Sequence, residues 1–382
     1  MRSHTHSGAG GDAQRGMSRR AFGRVLALAA AGAALPFPNE AALARAQLSN
    51  AGTLPLGAVK INANENPLGP CAEAVEAVRK LATHGGRYMY DETDAFVETF
   101  AARVGLRPEH VLPFAGSSDP LHRAVLAFTS PARSFVVADP GYEAGGRAAG
   151  FVGAKVYQVP LAKDHSHDVR AMVNADPNAG VIYICNPNNP TGTLTPRAEI
   201  EYALAHKPKG SVVLLDEAYI HFSDAPSCVD LVAAGKDLIV LHTFSKLYGM
   251  AGLRAGVAMG RPDLLAKLER YGTGPLPVVG MAAATASLNA KSLVAERRKL
   301  NREVRSEVFD FLRRLGVGFI PSESNCFMLD ARRPAREFVA AMARERVFVG
   351  RVWPAWPNHS RITVGTREEM EKFKAALLKV MR

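Results

Sequence analysis

The residues best suited to chemistry fall in one stretch, Thr243-Phe244-Ser245-Lys246-Leu247-Tyr248-Gly249, continued by Gly252-Leu253-Arg254-Ala255-Gly256. The apolar run Leu238-Ile239-Val240-Leu241 ahead of it reads as a buried strand. The polar cluster therefore sits just past a strand end, where α/β sheets place their ligands. An amine fixed among small hydroxyls suits Schiff-base chemistry with an aldehyde cofactor: Lys246 is the nucleophile, and Thr243, Ser245 and Arg254 suit a phosphate. An arbitrary lysine is a solvated surface group. The spacing of these four residues argues against that reading here.

Other strand ends carry groups that fit the same chemistry. Val181-Ile182-Tyr183-Ile184 leads into Cys185-Asn186-Pro187-Asn188-Asn189-Pro190-Thr191-Gly192, whose two Asn-Pro steps impose a tight non-helical loop. The strand Ser211–Leu215 ends in Asp216-Glu217-Ala218-Tyr219, and a carboxylate at a buried strand end is costly without a cationic partner. Val111-Leu112-Pro113-Phe114 passes through Ala115-Gly116-Ser117-Ser118-Asp119 into a helix, whose first N–H groups can hold a phosphate or simply be capped. Ser134–Asp139 is a further strand, with Pro140-Gly141-Tyr142 turning off its end. In Arg361-Ile362-Thr363-Val364-Gly365-Thr366 a planar guanidinium can grip a carboxylate with two parallel bonds.

The pattern T-F-S-K-x-x-G-x-x-G-x-R resembles the cofactor-lysine motif of fold-type I pyridoxal-phosphate (PLP) aminotransferases of class I/II. The histidinol-phosphate aminotransferase branch is the nearest in pattern, and matching signatures run in order from Ile61 to Thr366. The resemblance implies PLP bound through Lys246, with Asp216 on the pyridine nitrogen, Asn189 and Tyr219 on the phenolic oxygen, and Tyr142 on the ring face. Ser118, Asp119, Thr243, Ser245 and Arg254 would serve the phosphate; Lys246, Asp216 and Tyr219 would be catalytic. Arg361 would take the substrate α-carboxylate. Asn64, in the Ile61–Gly69 loop, would lie near the substrate, and Arg351 near a second anion site. Tyr88 would reach into the site of a neighbouring subunit, which implies a homodimer; Met89-Tyr90 replaces the family's proline, so Tyr90 is the alternative register. The implied reaction moves an amino group between an L-amino acid, or histidinol phosphate, and a 2-oxo acid. A lyase, racemase or decarboxylase on the same fold needs the same Lys246 and Asp216 and stays open.

Strands alternating with helices predict a doubly wound, mostly parallel sheet in a large domain over 71–275. An arm over 47–70 precedes it, and a smaller α/β domain over 276–382 follows a crossing at Tyr271–Pro277. That smaller domain is read as a long helical stretch from Val278 to Arg314 and strands at Val317–Ile320, Asn325–Asp330, Val347–Arg351 and Arg361–Thr366. No G-x-G-x-x-G follows an early strand, which argues against a dinucleotide-binding dehydrogenase.

A chain of 382 residues with 47% hydrophobic content can bury a large core. Its net charge is +11; residues 1–46 hold six arginines against Asp12 and Glu40, leaving +7 on the remainder. That remainder has no basic run with interleaved aromatics, so it suits anionic small molecules, not nucleic acid. The four cysteines, Cys71, Cys185, Cys228 and Cys326, show no metal-ligand spacing. Ser18-Arg19-Arg20-Ala21-Phe22 precedes an apolar run from Val25 to Leu35, and Ala44-Arg45-Ala46 offers a cleavage site. Residues 1–46 thus resemble a twin-arginine export signal. The alternatives are an amphipathic first helix or a membrane anchor, although the run is short for a span. The resemblance implies a periplasmic protein with no stable span once the signal is removed, cytoplasmic if the leader does not function.

Overall fold

The computed structural model describes residues 56–272 and 274–381. The export-signal expectation for 1–46 lies outside the described residues.

A short first strand, β1 (Val59–Ile61), precedes the strands of a central sheet: β2 (Val111–Phe114), β3 (Ser134–Asp139), β4 (Val156–Pro160), β5 (Ala179–Cys185), β6 (Val212–Asp216), β7 (Leu238–Thr243) and β8 (Gly256–Gly260). These seven lie in the order β2-β8-β7-β6-β5-β3-β4. Neighbours from β4 through β7 pair in parallel, whereas β8 runs antiparallel to both β7 and β2. Every residue of β5, β6, β7 and β8 is buried. That is why β5, β6 and β7 read as unbroken apolar runs: helices cover both faces of a parallel sheet, so no face alternates toward water.

The chain winds outward from β3 to β4, then back past β3 to β5, β6 and β7. Strand order therefore reverses beside β3, and ligands of open α/β sheets sit outside the carboxyl ends at such a reversal. Tyr142 follows β3, Asn189 follows β5, Asp216 closes β6 and Thr243 closes β7. All four belong to that one edge.

Among the described residues the apolar interior includes two large cores. The first surrounds the central sheet and includes Met281, Ala283, Ala284, Leu288 and Leu293, so it extends beyond the expected boundary at residue 275. The helix Val278–Asn289 is rich in alanine and packs close to Ala72–Ala82, which is why it joins that core. The second core gathers both ends of the described chain. Val59 and Ile61 of β1 pack there with residues of β9 (Cys326–Asp330), β10 (Val347–Val349), β11 (His359–Thr363) and the last helix, Arg367–Val380. β1 pairs in parallel with β10, and β11 antiparallel with β9. Thr366 starts the last helix with a reciprocal cap: its hydroxyl accepts from the Glu369 N–H, and the Glu369 carboxylate accepts from the Thr366 N–H.

Two expectations need correction. The helical stretch from Val278 to Arg314 is broken into Val278–Asn289 and Leu293–Arg314, which meet at 84°. Ala290 leaves the helical region with ψ at 93°, between Asn289 and Ser292, side chains that compete for backbone hydrogen bonds. The segment Val317–Ile320 makes only an isolated bridge, Phe319 to Leu329, on the edge of β9 opposite the one that β11 occupies. Among the described residues no single helix is long and apolar enough to cross a membrane.

Candidate active site

Lys246 directly follows Ser245 in the bend leaving β7, in neither strand nor helix, and is only 8% exposed. Its Nζ donates to the Ala63 carbonyl at 3.3 Å and sits 5.6 Å from the Tyr219 ring centroid. Ala63 belongs to the loop after β1, so that loop meets the lysine directly. Three further bonds fasten it: Asn66 Nδ2 donates to the Leu247 carbonyl at 2.8 Å, and Arg297 donates to the carbonyls of Leu247 and Gly69 at 3.0 and 2.7 Å. Gly249, at φ 69°, touches the same loop so closely that a Cβ would overlap the Gly69 carbonyl.

Asp216 is buried at the end of β6. Tyr183 Oη donates to its Oδ2 at 2.9 Å, and the Ala218 N–H to its Oδ1 at 3.1 Å. Burial raises its pKa to about 6, against the opposing pull of the Tyr183 and Ala218 bonds and of Lys246 and His242. A carboxylate left this basic by desolvation is poised to face a cation. The next residue, Glu217, is held by Ser227 Oγ, by the Cys228 N–H and by His242 Nε2 at 2.7 Å. These bonds tie the ends of β6 and β7 together just where Asp216 and Lys246 emerge.

A second group of polar atoms forms a cup. Ser117 and Ser118 begin the helix Ser118–Phe128 on one side; Thr243, Ser245 and Arg254 close the other. Thr243 Oγ1 donates to Ser245 Oγ at 3.0 Å. One Arg254 nitrogen reaches Ser245 Oγ at 3.2 Å and the Ala251 carbonyl at 2.9 Å, the other the Ala115 carbonyl at 2.9 Å. Gly116 has φ 89°, and a Cβ there would overlap the Arg254 guanidinium. Only glycine lets the turn pass that close. Helix N–H groups, hydroxyls and a guanidinium facing one space make an anion site.

On the opposite side lies Arg361, from β11. It is 0% exposed, donating to Asn189 Oδ1 at 2.8 Å and to the Asn62 carbonyl at 2.7 Å. Trp353 has the Arg361 guanidinium 5.5 Å and the Arg351 guanidinium 4.6 Å from its ring centroid. Arg351 pairs with Glu143 at 3.0 Å, and Trp353 Nε1 donates to the Gly141 carbonyl at 2.8 Å.

Of the residues singled out from the sequence, Ser118, Tyr142, Asn189, Asp216, Tyr219, Thr243, Ser245, Lys246 and Arg254 line one cleft that opens to solvent. The others stand elsewhere. Asn64 is buried behind the cleft wall, donating to Tyr219 Oη at 3.1 Å and accepting from Thr363 Oγ1 at 3.0 Å, so it orients Tyr219. The Asp119 side chain is taken by Arg123, one turn along the same helix, at 2.8 Å. Arg361 and Arg351 form the Trp353 wall behind Asn189, outside the cleft lining. Tyr88 is exposed and stacks on Tyr90 with centroids 5.7 Å apart, and is not among the lining residues of its own chain's cleft. Tyr183, Ser117 and Arg297 carry parts of the site that the sequence reading did not single out.

Residues 57–377 match the family model described as aminotransferase class I and II. The chain belongs to that family. Among relatives, it is similar to the histidinol-phosphate aminotransferase of Symbiobacterium thermophilum, 36% identical over 324 residues, 84% of this chain and 89% of the relative. Histidinol-phosphate aminotransferase 2 of Pseudomonas fluorescens strain Pf-5 is 36% identical over 86% of this chain and 90% of its own length. The crystal structure of histidinol-phosphate aminotransferase from Sinorhizobium meliloti in complex with pyridoxal-5′-phosphate superposes with TM-score 0.80 at 25% identity, covering 96% of this chain and 99% of that one. The chain is therefore a PLP-dependent aminotransferase of fold type I.

The cleft of this aminotransferase fits that cofactor on its own terms. Its cup suits a phosphate, its buried basic carboxylate suits a ring cation, and its enclosed primary amine suits an aldehyde. No group of three metal-ligating side chains exists among the described residues.

Proposed function

We propose that this aminotransferase exchanges the amino group of histidinol phosphate with a dicarboxylic 2-oxo acid, as a homodimer. The observation that carries the substrate reading is the wall with two guanidinium groups, Arg361 and Arg351, on one tryptophan. Cations on this wall suit the phosphate of histidinol phosphate in one half of the exchange and the two carboxylates of a dicarboxylic 2-oxo acid in the other, and the similarity to histidinol-phosphate aminotransferases supports the same reading. Bound PLP supplies an aldehyde that accepts the amino group and a ring that withdraws electrons from the substrate carbon.

The chain's residues have distinct tasks. Lys246 Nζ holds the cofactor and moves the proton on and off the substrate carbon. Asp216 would keep a proton on the ring nitrogen. Asn189 and Tyr219 would hold the phenolic oxygen, with Tyr219 steered by Asn64. Tyr142 would flank the ring, and the cup around Arg254 would take the phosphate. Arg361 binds a substrate carboxylate or phosphate. The Ser18-Arg19-Arg20-Ala21-Phe22 motif and the apolar run after it support export by the twin-arginine route to the periplasm.

One observation favours a second reading. Glu143 already neutralises Arg351, which suits a large uncharged amino acid in place of a phosphorylated donor. Steady-state kinetics with 2-oxoglutarate separate the two. Histidinol phosphate is expected to exceed phenylalanine at least tenfold in kcat/KM, about 1.4 kcal/mol of transition-state binding. The opposite ranking would make the Arg351–Glu143 pair a structural contact and the aromatic donor the substrate.

A further inference from the structure

We infer that Tyr183 is a positioning residue that orients Asp216 toward the ring nitrogen of the cofactor. The inference rests on the reading of Asp216 as the partner of that nitrogen.

Tyr183 lies within β5, only 1% exposed and absent from the cleft lining. The parallel register sets Cys185 opposite Asp216 and Tyr183 opposite Leu214. Side chains two residues apart on a strand share a face, so Tyr183 is the diagonal neighbour of Asp216, within reach of a long aromatic side chain. Its hydroxyl covers that diagonal and donates to Oδ2 at 2.9 Å, while the Ala218 N–H holds Oδ1 at 3.1 Å. The two bonds engage both oxygens and define one rotamer, leaving each oxygen a lone pair for a further donor.

The simpler alternative is a core tyrosine whose hydroxyl needs any acceptor. The choice of acceptor argues against it. A phenylalanine would fill the space beside Phe135, whose ring lies 5.9 Å away, without burying a hydroxyl. A donor spent on an ionised carboxylate makes a charge-assisted bond, about twice as strong as a neutral one. It stabilises the charged form of Asp216, the form that keeps a proton on the ring nitrogen. Burial works the other way, so the bond counters the cost of placing a carboxylate at this depth.

Removing the hydroxyl makes Asp216 more basic. The proton shared with the ring nitrogen then moves toward the carboxylate, and the ring loses part of its electron demand. The test is the ¹⁵N chemical shift of ring-labelled PLP in the fully loaded enzyme at neutral pH. For Tyr183→Phe the signal is expected to move toward the value of neutral pyridine, with kcat reduced about tenfold and cofactor occupancy unchanged. In an Asp216→Asn background the same substitution should leave the signal where it is. 3-Fluorotyrosine at position 183 keeps the shape and donates more strongly, so it should move the signal the other way; it also serves if Tyr183→Phe fails to fold. An unmoved signal in Tyr183→Phe, or an equal move in the Asp216→Asn background, overturns the inference. A wild-type signal already at the neutral value overturns the assignment of Asp216 itself, and the two failures are thereby told apart.

Discussion

Burial raises the Asp216 pKa to about 6, whereas an aspartate in an unfolded chain titrates near 3.9. Between those values the folded chain binds the extra proton. Stability from this group is complete below about pH 4 and is lost as pH rises through about 6. The shift of roughly two units makes ionised Asp216 cost about 3 kcal/mol in the cofactor-free protein. Asp216→Asn is therefore expected to raise the urea midpoint of the apoprotein at pH 8. The gain should shrink as pH falls toward 4, while PLP retention drops. His122 and His167 carry the opposite sign: burial lowers each to about 4, so the unfolded chain gains protons first as pH falls through 6.5. The difference between variant and wild type isolates Asp216 from that background. Identical gains at pH 4 and pH 8 would show that the carboxylate is not the destabilising group.

Turns at strand ends decide whether the right atoms meet, and the turn after β2 gives a clean test. Gly116 at φ 89° is pressed against Arg254, and an alanine there meets both a left-handed backbone penalty and the guanidinium. Gly116→Ala should displace Arg254 from Ser245 and Ala115, weakening PLP binding about tenfold or more, near 1.4 kcal/mol, with the circular dichroism of the fold retained. Unchanged affinity in a cofactor titration would place the phosphate elsewhere. Such elements were legible in the sequence to different depths. β5, β6 and β7 announced themselves because burial on both faces leaves an unbroken apolar run, and the polar residues after each run named the edge they share; β8, short and bounded by Gly256 and Gly260, was not read as a strand. The Ala290 break was hidden, since the alanine-rich sequence before it and the Arg, Glu and Leu after it all favour helix, and the two helices pack against two different cores. Tyr183 was read only as part of a strand, because its bond to Asp216 depends on the register between β5 and β6. Arg297 was out of reach for the same reason, its Gly69 partner lying 228 positions away. Asp119 misled because its place beside Ser118 suggests a phosphate ligand, while helical spacing hands its side chain to Arg123.

The whole molecule leaves two aromatic rings where a lone subunit has no use for them. Tyr88 and Tyr90 are 66% and 62% exposed, stacked on each other beside Met89, which holds a left-handed φ of 47°. Neither lines the cleft of its own chain, and a paired exposed aromatic surface is a common mark of an interface. In a symmetric dimer the same patch on each subunit is available to the other. If Tyr88 serves the phosphate cup of its partner, lesions in Lys246 and Tyr88 must complement each other. A dimer of one Lys246→Ala subunit with one Tyr88→Ala subunit then has one site with both lesions and one with neither. Each variant alone has no intact site. Mixing the two, unfolding and refolding at equal amounts should return about a quarter of wild-type activity, because half the dimers are hybrids and each hybrid has one intact site. If Tyr88 instead served its own chain, every site in the hybrid would keep one lesion and mixing would restore nothing. Repeating the experiment with Tyr90→Ala decides the register: recovery with Tyr88→Ala, and full activity of Tyr90→Ala before any mixing, assigns the shared contact to Tyr88.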